Sequence, residues 1–130
     1  TKIISYLDEY DFVIGSRYVN GGKNVQPLFR YLISYLGNKL IKFLLKSNFN
    51  EFTTSYRGFN LKKLNNFNLN QIKGNGYSFF METVIILERL KFKSLEFPIH
   101  FKDRIYGKSK IPKIEIFRTF KNLISLYFKK

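Results

Sequence analysis

Three short segments place cationic side chains beside small or hydroxyl-bearing residues, a combination that can bind phosphate groups. The first is Gly15-Ser16-Arg17-Tyr18, which follows the apolar run at 12–14. Glycine lets the backbone approach a ligand closely, and an arginine can direct two N–H donors onto phosphate oxygens. Taken alone, the segment is more typical of a loop with a solvated arginine.

The second segment, EFTTSYRGF at 51–59, combines an acid, several hydroxyl groups and Arg57. A carboxylate at Glu51 could orient a sugar hydroxyl or act as a general base. The alternative is a strand whose hydroxyl groups bind neighbouring backbone groups. The residues by themselves leave both interpretations open.

The third segment, FKDRIYGKSKIP at 101–112, is the most cationic. Lys102, Arg104, Lys108 and Lys110 surround the single acid Asp103, with Gly107 and Ser109 among them. A turn built on glycine and serine can expose backbone amides as a concavity for anions. The segment is therefore either a solvated loop or the place where an anionic ligand binds.

The composition narrows the function classes. Of the 130 residues, 23 are Lys or Arg and 9 are Asp or Glu, which gives a net charge of +14. Such an excess indicates an anionic partner: nucleic acid, anionic lipid or a phosphorylated ligand. There are no cysteines and only one histidine, His100, so disulfide scaffolds, thiolate zinc sites, thiol nucleophiles and histidine-based metal sites are excluded.

The pattern of apolar residues predicts one α/β domain, because predicted strands and helices alternate along the chain. The predicted elements are a helix at 2–10, a strand at 11–18, a loop at 19–27, a helix at 28–46, a short strand within 47–60, helical turns at 61–67, a linker at 68–76, a helix at 77–90, a half-buried strand at 93–101 and an amphipathic helix from Pro112. No apolar run reaches the roughly 18 to 20 residues that span a bilayer.

For two predicted helices, the sequence leaves open which residues are buried and which are exposed. The helix at 28–46 has an apolar face, which comprises Phe29, Leu32, Ile33, Leu36, Leu40, Phe43 and Leu44, and lysines on another side. We favour a core helix with a solvated basic face over a helix beside anionic lipid headgroups. On the helix at 77–90, Glu82 lies either on the wet side or buried beside a partner such as an arginine.

Taken in order, five pieces of the sequence resemble a known family. They are DFVIGSRYVNGG, then Arg30 with Ser34 and Asn38, then EFTTSYRGF, GYSFFMET and FPIHFKDRIYGKSKI. They resemble family 2 glycosyltransferases of the dolichyl- or polyprenyl-phosphate mannose (or glucose) synthase type, and they cover about residues 11 to 112. Glu51 stands where that family usually has Asp, and Thr54-Ser55 where it usually has Ser-Gly.

The resemblance implies a fold, a reaction and a set of roles. The fold is the C-terminal portion of a GT-A-type (nucleotide-diphospho-sugar transferase) fold. The reaction is inverting transfer of a hexose, mannose or glucose, from a nucleotide sugar donor to a polyprenyl or dolichyl phosphate. The implied catalytic residues are Glu51 and Arg104, and the implied phosphate- or substrate-binding residues are Ser16, Arg17, Arg30, Ser34, Thr54, Arg57, Ser109 and Lys110.

The resemblance also implies what accompanies this chain. Residues 1–112 correspond to the C-terminal part of the catalytic domain, and residues 113–130 to an amphipathic, membrane-interface helix. The nucleotide-binding half, with the Asp-x-Asp ligands of a divalent cation (Mg or Mn), would precede Thr1. We therefore expect the isolated chain to be inactive, and the full enzyme to lie at the cytoplasmic face of a membrane on an anionic surface.

The tail from 113 fits that expectation and one alternative. Its apolar stripe, which comprises Ile114, Phe117, Phe120, Ile124 and Phe128, suits a membrane interface, but a helix packed on the domain has the same pattern. Two alternative functions share the basic charge: a nucleic-acid-binding module and a non-catalytic membrane-surface module. The position of the cations argues against a nucleic-acid-binding module, because they cluster at the ends of elements instead of following one sheet or helix.

Overall fold

The computed structural model describes residues 2–102 and 113–129. Its elements are the helices α1 (Lys2–Glu9), α2 (Leu28–Leu45), α3 (Tyr77–Arg89) and α4 (Lys113–Phe128), the strands β1 (Phe12–Ser16), β2 (Lys23–Val25), β3 (Arg57–Phe59), β4 (Ser94–Pro98) and β5 (His100–Lys102), and a short 3-10 helix (Leu69–Gln71). Helices and strands therefore mix along the chain, as the α/β prediction requires.

Strand β1 is the centre of a three-stranded sheet of order β3-β1-β4. It pairs in parallel with β4, from Phe12 opposite Ser94 to Ser16 opposite Pro98, and antiparallel with β3. All five of its residues are buried, as expected for a short apolar run covered on both faces. The strand thus fixes the position of whatever follows Ser16.

A second, two-stranded sheet extends from the carboxyl end of the first. Strand β2 runs parallel to β5, with Asn24 opposite Phe101. The two sheets are joined by backbone hydrogen bonds, because Ile99 N donates to Ser16 O at 2.9 Å and Lys23 N donates to Ile99 O at 2.9 Å. The segment after β1 and the segment after β4 therefore lie side by side.

The core forms where helix α3 packs against this sheet. Its fully buried members include Phe12 and Ile14 of β1, Phe52, and Met81 and Leu87 of α3. Helix α4 contributes Leu123 and Leu126 to the same cluster. One hydrophobic core consequently holds the sheet, α3 and α4 together.

Most predicted elements are confirmed, and the errors concern short ones. The predicted loop at 19–27 contains β2, and the predicted strand at 93–101 divides into β4 and β5 at Ile99. Residues 61–67 form hydrogen-bonded turns, as the predicted helical turns require, whereas the linker at 68–76 contains the 3-10 helix. A three-residue strand is decided by its partner across the sheet, which local sequence does not encode.

The favoured interpretation of the helix at 28–46 as a core helix is wrong. Only Asn38 and Ile41 of α2 are buried, whereas Phe29 is 75% exposed, Leu36 62% and Phe43 80%. The helix is present, but six of the seven residues on its predicted apolar face are exposed and only Leu44 packs against the core. Its narrow packing face includes a polar side chain, Asn38. Several large apolar side chains exposed on one face of a helix indicate an interaction site.

Helix α4 combines both environments considered for the tail. Leu123 and Leu126 pack on the domain, and Arg89 of α3 donates to the carbonyl oxygens of Leu126 and Lys129. The predicted stripe is exposed, from Ile124 at 42% to Phe128 at 77%. Among the residues that the structure describes, no helix is both long and apolar enough to cross a membrane.

Candidate functional site

Arg17 leaves the carboxyl end of β1 and forms a buried ion pair with Glu51. Arg17 Nε donates to Glu51 Oε2 at 2.7 Å, and Arg17 Nη2 donates to Glu51 Oε1 at 2.9 Å. The side chain of Arg17 is 8% exposed and that of Glu51 is 0% exposed. Two parallel hydrogen bonds fix the plane of the guanidinium as well as its position.

Glu51 is held by its own segment. Thr53 donates from its backbone N–H at 3.1 Å and from its hydroxyl at 2.9 Å, both to Glu51 Oε1. On the next residue, Phe52 N donates to Asn38 Oδ1 of α2 at 2.7 Å. On the preceding residue, Asn50 donates to the carboxylate of Glu96 on β4. The carboxylate therefore stands on a segment tied to both a helix and a strand.

The electrostatics of the pair favour the ionised arginine. Burial alone would lower the pKa of Arg17, but the hydrogen bonds and negative charge of Glu51 outweigh burial and raise it above the ordinary value. Arg17 Nη1 donates no hydrogen bond to any residue in the described part of the chain. The guanidinium thus remains charged and keeps one edge available for another acceptor.

Tyr18 links this pair to helix α2. Its hydroxyl donates to Ser34 Oγ at 2.7 Å, and its backbone N–H donates to Ser16 Oγ at 3.1 Å. Burial raises the pKa of Tyr18, while the hydrogen bond with Ser34 opposes the rise. Arg30 lies on α2 one helical turn before Ser34, on the same side of the helix, and it is exposed.

A small cleft of about 60 Å³ adjoins these residues. Four of its six lining residues belong to α2. The lining residues are Tyr18, Tyr35, Asn38, Lys39, Lys42 and Asn50. Tyr35 stacks on Tyr31 with ring centroids 5.8 Å apart. The site therefore has a cationic and aromatic margin along α2.

Arg57 and Thr54 belong to the segment that follows Glu51 in the chain. The Arg57 guanidinium donates to the carbonyl oxygens of Thr54, Phe80 and Phe52, and it lies 4.8 Å above the ring of Phe80. Burial lowers the pKa of Arg57 to about 10, against the opposing effect of the Glu51 charge. These contacts hold the segment 52–57 against α3, and the predicted substrate contacts of Arg57 and Thr54 stay predictions.

Phe101, the first residue of the cationic segment 101–112, lies beside Arg17. Phe101 of β5 lies with its ring centroid 5.4 Å from Arg17 Cζ. Arg104, Ser109 and Lys110 fall outside the described residues, so their predicted roles stay predictions. The structure brings together Ser16, Arg17, Ser34 and Glu51 through the contacts above.

Within residues 2–102 and 113–129, no group of three or more His, Cys, Asp or Glu side chains could hold a metal ion. The carboxylate of Glu51, the acid at the site, already accepts hydrogen bonds from Arg17 and Thr53. The residues present therefore do not fit a divalent cation.

Two curated proteins are similar to this chain. The undecaprenyl-phosphate mannosyltransferase of Micrococcus luteus is 36% identical over 111 residues, which are 85% of this chain and 46% of that protein. The polyprenol monophosphomannose synthase of Mycolicibacterium smegmatis is 32% identical over 102 residues, which are 78% of this chain and 38% of that protein. The chain belongs to the polyprenyl-phosphate mannose synthase-like family 2 glycosyltransferases.

The family assignment comes from these relatives and from the motif order. No protein-family model matches the chain. The chain spans less than half the length of the two relatives.

Sequence reasoning missed several supports of the site in this member of the glycosyltransferase family. Asn38 was part of the resemblance, but its bond to Phe52 N was not predicted, although a buried asparagine inside a helix is unusual enough to serve as a signal. Glu96 of β4 accepts hydrogen bonds from Asn50, a contact that sequence reasoning did not predict. No local pattern signals a contact between residues 46 positions apart.

Proposed function

We propose that this chain takes part in the transfer of a hexose, mannose by the names of its relatives, from a nucleotide sugar to a polyprenyl phosphate. The observation that carries the proposal is the buried Arg17–Glu51 pair at the end of β1, with Arg17 Nη1 still available to an acceptor. Ligands in open α/β sheets bind beyond the carboxyl ends of the strands, where this pair lies.

The proposed chemistry is a single displacement that inverts the sugar carbon. An oxygen of the lipid phosphate attacks the anomeric carbon, the bond from that carbon to the diphosphate oxygen breaks, and the nucleoside diphosphate leaves with the electron pair. A phosphate oxygen is ionised at neutral pH, so the reaction needs little general-base help. Rate acceleration then depends on placement of the two substrates and on stabilising charge on the leaving group.

The roles follow from the contacts. Arg17 is a preorganised donor to phosphate, and Glu51 acts through Arg17 as the residue that orients it. Since Glu51 neutralises Arg17, the net positive charge for two anions must come from others, for which we propose Arg30, Arg104 and Lys110 with Ser34 and Ser109. We also propose a GT-A-type fold and a divalent cation that is held outside residues 2–102 and 113–129.

We propose a location at the cytoplasmic surface of a membrane, and the exposed faces of α2 and α4 support the contact with a membrane. Phe29, Leu36 and Phe43 recur every seven residues on α2, and each is more than half exposed. Phe117 and Phe128 of α4 are also largely exposed. Apolar side chains flanked by lysines and arginines are typical of helices that lie in the lipid interface.

The test is an assay of sugar transfer by the natural-length protein. The donors are a radiolabelled panel of nucleotide sugars that includes GDP-mannose and UDP-glucose, and the acceptor is a polyprenyl phosphate. Arg17→Lys keeps the charge but removes the two-pronged contact, and we expect kcat/KM to fall about 100-fold, on the scale of losing one aligned charge-stabilising donor. Arg89→Lys, which changes an arginine bound to the end of α4, is the matched control and should retain activity.

Two results would contradict the proposal. One is an Arg17→Lys variant with the transfer rate of the parent protein. The other is a parent protein that transfers no sugar from any donor in the panel. Transfer by the 130-residue chain alone would contradict the separate expectation that it is inactive by itself.

A further inference from the structure

A second cleft, larger than the one beside Tyr18, lies between α4 and the segment leading into α3. Its volume is about 310 Å³, and it shares no lining residue with the cleft beside Tyr18. Three cations line it: Lys73 on one side, and Arg118 and Lys121 on α4. We call it the α4 groove.

The wall of the α4 groove opposite α4 is fixed by a buried carboxylate. Glu82 is 3% exposed, and its Oε2 accepts from Lys73 N at 3.1 Å, Gly74 N at 2.8 Å and Asn122 Nδ2 at 3.3 Å. A Cβ at Gly74 would lie 2.8 Å from Ser78 Cβ, so only glycine allows this approach. Of the two environments considered for Glu82, the buried one is correct, and its partners are backbone amides and an asparagine in place of an arginine.

The charges of the groove do not cancel. Glu82 has the three donors just named, and Glu115 accepts from Arg118 Nη1 at 3.0 Å. Lys73 and Lys121 form no ion pair with any residue in 2–102 or 113–129. Two lysines therefore remain to attract an anion. Glu115, which does not line the groove, opposes them in part, because only its Oε1 is paired with Arg118 and its Oε2 has no partner among the described residues.

A buried hydroxyl in the groove has no partner. Ser78 lines the groove and is 3% exposed, and its Oγ has no hydrogen-bond partner among the described residues. Buried side-chain hydroxyls are nearly always hydrogen-bonded, so an unpaired one on a residue that lines the groove together with Lys73 and Lys121 indicates an acceptor that comes from a ligand. A phosphate oxygen fits both the hydroxyl donor and the ammonium groups.

The neighbourhood of the groove indicates where that phosphate comes from. Arg118, Lys121 and Ser125 follow one another at three and four residues, so they occupy one side of α4. The exposed Phe117, Phe120 and Ile124 occupy an adjacent side of the same helix. Apolar side chains next to a cationic groove match the boundary between acyl chains and headgroup phosphates.

We infer that the α4 groove binds the phosphate of an anionic phospholipid headgroup, as a site separate from Arg17 and Glu51. The inference goes beyond sugar transfer. It depends on the proposed membrane location only for the source of the phosphate.

The test compares variants of the natural-length protein. Lys73→Gln with Lys121→Gln removes the two free charges, and Lys62→Gln with Lys91→Gln is the control, because it removes two exposed lysines elsewhere. Ser78→Ala removes the hydroxyl without a change of charge. The probes are soluble dihexanoyl phosphatidylglycerol, inorganic phosphate, and phosphatidylcholine vesicles with and without phosphatidylglycerol.

We expect the groove double variant to bind dihexanoyl phosphatidylglycerol at least about tenfold more weakly, at about fivefold per lysine. Ser78→Ala should weaken binding about threefold to fivefold through loss of one hydrogen bond. The control should bind like the parent protein. Sugar transfer to a polyprenyl phosphate in detergent should be the same in all variants, so this inference and the proposed function can fail separately.

Equal weakening by both double variants, with no effect of Ser78→Ala, would overturn the site in favour of a general attraction between a basic protein and lipid. Inorganic phosphate that binds as tightly as the soluble lipid would overturn the lipid assignment.

Discussion

At the scale of single residues, the site depends on a buried ion pair whose partners come from different elements. Removing two charges from water costs several kcal/mol per ion, which is repaid only when geometry and further hydrogen bonds are good. Arg17 and Glu51 meet that condition, because Thr53 supplies two further donors to the carboxylate. Loss of one partner leaves the other charged and buried.

Glu51→Gln tests this pair. It keeps the shape of the side chain but removes the charge, and we expect the free energy of unfolding to fall by about 2–4 kcal/mol. Urea denaturation measures the change. The matched control is Glu9→Gln, which breaks the exposed pair with Lys93 and should leave stability unchanged. Equal effects of the two substitutions would show that burial of the pair is unimportant.

Arg57→Lys tests whether the contacts of Arg57 to backbone carbonyls are its main role. A lysine cannot reproduce donation to Thr54, Phe52 and Phe80, so we expect stability to fall by about 1–3 kcal/mol. The measurement is thermal or urea denaturation, with KM for the donor determined well below the melting temperature. Unchanged stability with a raised KM would instead support the predicted substrate contact.

At the scale of elements, helix α2 has two distinct faces. The narrow packing face carries Asn38 and Ile41, and the wide apolar face is exposed. The polar Asn38 on the packing face positions Phe52, and hence Glu51, relative to β1. The helix thus connects an apolar outer surface to the ion pair of the site.

Leu36→Gln with Phe43→Gln tests the exposed face. Because both side chains are largely in solvent, we expect little change in melting temperature. We expect binding to anionic vesicles to fall at least about tenfold, since each lost apolar side chain removes about 1.5–3 kcal/mol of burial. Ile41→Ala is the comparison from the buried face and should lower stability by about 2–4 kcal/mol. Unfolding of the double variant would restore the core-helix interpretation.

At the scale of the whole molecule, charge and apolar surface occur together. The net charge is +14, and the described residues contain three ion pairs, so most of the described cations have no carboxylate partner. A nucleic acid would bind through charge alone and release counterions, whereas a membrane also buries the apolar faces of α2 and α4.

Salt separates these two partners. Raising the salt concentration from 50 to 500 mM should reduce binding to a single-stranded oligonucleotide by more than about tenfold, because exposed charges are screened. Binding to vesicles with anionic lipid should fall less, since burial of apolar side chains does not depend on screening. Flotation and fluorescence anisotropy measure the two. If the affinity for the oligonucleotide falls less than the affinity for vesicles between 50 and 500 mM salt, the nucleic-acid alternative is favoured.

The sequence by itself determined the features that local chemistry controls. The long helices and β1 follow from apolar periodicity, and the order of the motifs identified the family through residues such as Arg17, Ser34 and Glu51. The net charge indicated an anionic partner, and the absence of cysteine excluded disulfide scaffolds, thiolate zinc sites and thiol nucleophiles. These features depend on neighbours in the chain.

Only the tertiary structure decided which surfaces meet. The same amphipathic pattern on α2 suits a core or an interface, and exposure of Phe29 and Phe43 distinguished them. The pairing of Arg17 with Glu51, and of Glu82 with backbone amides, joins positions that no local pattern relates. Burial and long-range pairing are properties of the packed chain, because the free energy of a buried charge depends on what surrounds it and not on its neighbours in sequence.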